Sequence, residues 1–85
     1  MGFSKNVWDQ IKNVTKDRLI KELLDDGFLL DEVVKTERCY RHKDGRRVMI
    51  HYHKGSDTFG ANLLQKLFKE IGWNEKDIKK LKLAK

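Results

Sequence analysis

Apolar positions recur along this chain with two different periods, and the change from one to the other divides it into elements. Leu19, Ile20, Leu23 and Leu24 stand at helical spacing, with Thr15 placed as an N-cap and Gly27 placed to end the run, which predicts a helix over residues 16 to 26. Val7, Trp8 and Ile11 repeat that spacing in a shorter stretch, 4 to 12, with Ser4 or Asn6 available as its cap. Leu63, Leu64, Leu67, Phe68 and Ile71 predict a third helix closed by Gly72, preceded by a loop over 54 to 60 in which Asp57 or Thr58 is positioned to cap it. Asn74, followed three residues later by Asp77, opens a fourth, to which Ile78, Leu81 and Leu83 give an apolar side. Between the second and third helices the period shortens. Residues 28 to 34 are β-friendly, with Phe28 and Leu30 read as core-facing, and Lys35-Thr36 are the expected turn before the next strand.

The stretch from Glu37 to Lys54 is the most specific signal. Asp44-Gly45, flanked by alternating residues rich in Tyr, Val, Ile and Arg, reads as a two-residue hairpin turn, because both central positions of that turn need positive φ. Counting back from it pairs His42 with Arg47, Tyr40 with Met49, and Cys39 with Ile50. One face then carries Arg38, Tyr40, His42, Arg47, Met49, His51 and His53, and the other carries Cys39, Val48, Ile50 and Tyr52. The second set is apolar and is expected inside, so the first forms a wet face of cations, imidazoles and one aromatic ring. The resulting order, α-α-β-β-β-α-α, is met by an α+β architecture: a three-stranded antiparallel sheet with helices packed on its one apolar face.

Length and composition narrow the setting. At 85 residues the chain is expected to form one domain, and Pro is absent. No apolar run approaches the roughly 18 residues that cross a bilayer, the first residues lack the apolar segment of a secretion signal, and Asn6 spoils a myristoylation signal, so a cytoplasmic protein is expected. The single cysteine, Cys39, has no partner for an internal disulfide and is read as a small core hydrophobe. A net charge of +6 favours an anionic partner: nucleic acid, an acidic protein or a membrane surface.

The wet face adds chemistry. Arg38, Arg41, Lys43, Arg46 and Arg47 crowd one hairpin, where like charges directly opposite cost about 0.2–1 kcal/mol per pair, so a polyanion bound there would explain them. The plain alternative is that Asp31, Glu32 and Glu37 neutralise the group. Tyr40 among cations could stack on an unpaired base. His51 and His53 project to one side, with His42 nearby, and two imidazoles beside a cation suffice for metal-free RNA cleavage: one takes the 2′-hydroxyl proton, the other protonates the leaving oxygen. The plain alternative is that they are surface strand histidines with no role. A His-x-His pair also suits a metal, but no acidic cluster on that face completes a site.

Residues 23 to 47, above all Asp25-Asp26-Gly27-Phe28 and Cys39-Tyr40-Arg41-His42-Lys43-Asp44-Gly45-Arg46-Arg47, resemble the HicA family of toxin mRNA interferases, and the similarity runs over about 16 to 73. The resemblance implies a double-stranded-RNA-binding-like fold and, as function, the RNA-binding toxin of a type II toxin–antitoxin system. It also implies metal-independent mRNA endoribonuclease activity without a cofactor, and a HicB-like antitoxin as protein partner. The terminal helices are extensions of that core. This chain departs from the family at the Gly-Ser-His that usually opens the second strand and holds the catalytic histidine, where Lys35-Thr36-Glu37 stand instead. Catalysis would then fall to His51 and His53, with Glu37 as a base only if a bulge brought it round to their face. Arg38, Tyr40, Arg41, His42, Arg47 and Lys54 are the expected RNA contacts. The rival functions are a non-catalytic RNA-binding relative and a protein-interaction module whose basic sheet docks an acidic partner.

Overall fold

A computed structural model describes residues 3 to 84. Its helices begin where the sequence supplies a side-chain acceptor for otherwise unpaired amides. In α1 (Lys5–Ile11) the Ser4 hydroxyl accepts from Val7 N–H. In α2 (Lys16–Asp25) Thr15 accepts from Arg18 N–H at 3.2 Å. In α4 (Glu75–Lys80) Asn74 and Asp77 cap each other reciprocally. The helix α3 (Ala61–Ile71) is the exception: its N-cap is Gly60, with no side-chain bond. The expected caps Asp57 and Thr58 are used elsewhere. The Asp57 carbonyl accepts from Lys16 N–H at 2.8 Å, and Thr58 bridges to Thr15, so this loop is tied to the start of α2. Gly72 ends α3 at φ +83, as the sequence suggests.

The strands β1 (Phe28–Val34), β2 (Glu37–His42) and β3 (Arg47–His51) form one antiparallel sheet in the order β1-β2-β3. The fold is α+β with the order α-α-β-β-β-α-α. Leu19, Leu23, Leu64, Leu67, Phe68 and Ile71 from the helices pack with Phe28, Tyr40, Val48 and Ile50 from the sheet into one core. Each such side chain taken fully from water contributes about 1.5–3 kcal/mol. The stripes expected from helical spacing are therefore real, although Leu24 and Leu63 lie at their margins and remain exposed. Among the described residues, no helix is long and apolar enough to cross a membrane.

The hairpin departs from the expected register by one residue. His42 N–H donates to the Arg46 carbonyl at 2.8 Å and Gly45 N–H to the His42 carbonyl at 2.9 Å, so Lys43-Asp44-Gly45 is a three-residue loop with Gly45 at φ +103. This is a type I turn followed by a left-handed residue. Tyr40 consequently pairs with Val48, Arg38 with Ile50, Cys39 with Met49, Arg41 with Arg47, and Glu37 with His51. β3 keeps its expected faces, but every side chain of β2 changes side.

A bulge at Asp31 does the same within β1, so Phe28, Leu30 and Val33 line up with the helix side and Leu29, Glu32 and Val34 with the open side. Leu30, expected in the core, is 48% exposed although Phe28, two residues before it on the same edge strand, is fully buried.

Candidate active site and nucleic-acid interface

At the end of the hairpin away from the turn, Glu37 opens β2 directly across from His51, the last residue of β3, and both are exposed. Residues paired in this way share a face. Thr36 adds a hydroxyl 3.2 Å from His51 Nδ1, while its carbonyl accepts from Tyr52 N–H at 2.7 Å and prolongs the pairing past the strand ends. His53 lies edge-to-face on His51 with ring centroids 4.7 Å apart. Beneath them the buried Lys16 extends its ammonium to the His51 carbonyl, anchoring this strand end to α2. A carboxylate, two imidazoles and a hydroxyl are thus gathered on one accessible patch. Such a set can accept and donate a proton at one substrate. The bulge once needed to bring Glu37 round to His51 is unnecessary, because the three-residue turn has already moved it.

The same shift removes three of the expected RNA contacts, Tyr40, His42 and Arg38. Tyr40 is 2% exposed and faces the helices, where its ring is part of the core. His42 is largely buried: one ring nitrogen lies 2.9 Å from the Asp26 carbonyl, the other accepts from Asp44 N–H, and the ring stands edge-to-face on Phe28. It holds the turn to the end of α2. Arg38 also leaves the open face and lies over the Tyr52 ring at 4.0 Å, while the Tyr52 hydroxyl donates to Asp17 at 2.7 Å. That hydrogen bond raises the Tyr52 pKa above the ordinary phenol value.

Nor do the hairpin cations share a surface. Arg46 turns inward, donating to the Ile71 carbonyl at 2.8 Å and pairing with Asp26 at 3.2 Å. Arg41 and Arg47 do emerge together on the open face, although Arg41 is paired with Asp31 at 3.4 Å. Exposed pairs of this kind contribute about 0–1 kcal/mol and yield readily to a stronger anion. Arg47 Nε lies 3.1 Å from Cys39 Sγ, and this contact raises the arginine pKa further. Cys39 is therefore buried, as expected, but beneath an arginine on the open face rather than in the core. Lys54 is exposed just beyond His53.

The Glu37–His51 pairing was open to sequence reasoning. Gly45 suits the left-handed position of a three-residue loop as well as the end of a two-residue one, and only the longer loop buries Tyr40 while leaving Arg41 in water. Thr36 had no such signal. Among the described residues, no group of three or more His, Cys, Asp and Glu side chains is arranged to hold a metal ion. No protein-family model matches the chain, and no curated protein matches it.

Proposed function

We propose that this chain is a HicA-like RNA-binding toxin that cleaves mRNA without a metal, using Glu37 and His51 as its acid–base pair. The observation that carries the reading is the register that sets these two side chains opposite one another on an exposed strand end. Glu37 stands where the family resemblance expects the catalytic histidine, so the substitution exchanges one proton acceptor for another. In the proposed reaction the Glu37 carboxylate takes the 2′-hydroxyl proton as that oxygen attacks phosphorus. His51, as imidazolium, returns a proton to the departing 5′-oxygen, leaving a 2′,3′-cyclic phosphate and a 5′-hydroxyl. Thr36 and His53 hold the His51 ring in place, Lys54 faces the reacting phosphate, and Arg41 and Arg47 receive phosphates farther along the open face. The protein partner proposed with this activity is a HicB-like antitoxin.

Incubation with single-stranded RNA in EDTA tests the assignment. Cleavage to cyclic-phosphate ends is expected, reduced about 100-fold or more by Glu37→Gln and by His51→Ala. RNA bound but left intact by the native protein would favour the non-catalytic relative. The protein-interaction reading gains from Leu29, Val34 and Met49, which are exposed on the same face as Arg41 and Arg47. Absence of both RNA binding and cleavage would leave it in front.

A further inference from the structure

On the side of the molecule away from the open sheet face, α1 and α3 enclose a cleft of about 970 Å³. Its walls and floor are aromatic: Phe3 and Trp8 are half-buried, and Phe68 lies below them, edge-to-face with Phe3 at 5.4 Å. Trp73 continues the floor beyond Phe68, with centroids 6.1 Å apart, and spends its indole N–H on Asp26 at 3.0 Å. The rim carries Lys5, Lys66 and Lys69, all exposed, and no carboxylate is among the described residues that line it. Concave apolar sites with a few placed polar groups are where ligands and anchoring side chains bind.

The geometry points to a docking site for an acidic peptide segment of a partner protein, which inserts one large apolar side chain between α1 and α3 and sets its carboxylates against the three lysines. Charge complementarity selects the sign of the occupant, since three ammonium groups surround the opening with nothing in the lining to neutralise them. The floor selects peptide over RNA. Phe68 and Trp73 are 2% and 5% exposed, so neither offers the open ring face on which a base stacks. What they offer is a recess that a leucine or phenylalanine side chain fills. This site is separate from the Glu37–His51 patch and does not depend on the nuclease reading.

Both tryptophans of the chain, Trp8 and Trp73, line the cleft, so intrinsic emission reports directly on its occupancy. The probes are short blocked peptides of glutamates flanking one leucine, isoleucine or phenylalanine, titrated by emission and by calorimetry, with lysine-flanked counterparts and a short oligouridylate as controls. Saturable binding of at least one acidic peptide is expected, weakened about tenfold or more in the Lys66→Glu, Lys69→Glu double variant. Both positions are exposed, and circular dichroism verifies that this variant is folded. Three results would each overturn the proposal: no saturable binding of any acidic peptide to about 1 mM, equal affinity in the double variant, or tighter binding by the oligouridylate than by every peptide with loss on the same charge reversal.

Discussion

Gly27 shows how much can rest on one side-chain position. It sits at φ +105, and a Cβ built there would lie 2.9 Å from His42 Nε2, the nitrogen that meets the Asp26 carbonyl. Gly27→Ala therefore combines backbone strain with displacement of a buried imidazole, and urea unfolding is expected to show a loss of about 1–3 kcal/mol. Asp44 is a second such position. Its carboxylate accepts from Arg46 N–H at 3.0 Å, and that bond holds its pKa below the ordinary aspartate value. A depressed carboxyl stabilises the fold in full above its unfolded pKa and loses that contribution as pH falls through the lower folded value. Asp44→Asn is accordingly expected to be less stable than the native protein at neutral pH, with the difference shrinking below about pH 4. Thermal melts across that range would show it.

At the scale of elements, helices were legible because each carries its own evidence: an apolar stripe in all four, a capping side chain before α1, α2 and α4, and a glycine that closes α3. Thr15, Asn74 and Gly72 act where local chemistry requires. Strand existence and order were legible for the same reason. Register was harder to read, because it depends on how many residues the turn holds, and Lys43-Asp44-Gly45 satisfies two lengths equally well at the local level. Only tertiary burial separates them, since the longer loop is the one that covers Tyr40. The candidate site inherits this division. His51 was recognisable from β3, whose faces never changed, and His53 from its place two residues beyond that strand, whereas Glu37 was discounted and Arg38, Tyr40 and His42 were overvalued because all four belong to β2. The bulge at Asp31, which moves Val34 to the open side, likewise leaves no local mark in the sequence.

As a whole, the molecule is a sheet backed by a helix layer, with a radius of gyration of 12.1 Å, against about 12 Å for one compact domain of this length. The basic residues are dispersed rather than massed: some brace the fold, some ring the aromatic cleft, and Arg41 and Arg47 alone of the hairpin arginines stand together on the open face. The Arg46 guanidinium unites parts far apart in the chain, reaching the carbonyl that ends α3, the carboxylate beyond α2 and the Asp44 carboxylate in the turn. Three elements are thereby fastened at one point, and none can melt alone without breaking bonds to the other two. Amide hydrogens of β3 and of α3 should consequently exchange with solvent through the same global opening, and should part company, the strand exchanging faster, once Arg46→Ala cuts the fastening. The tip of the hairpin is in this sense the domain's latch, and cooperativity is what it confers.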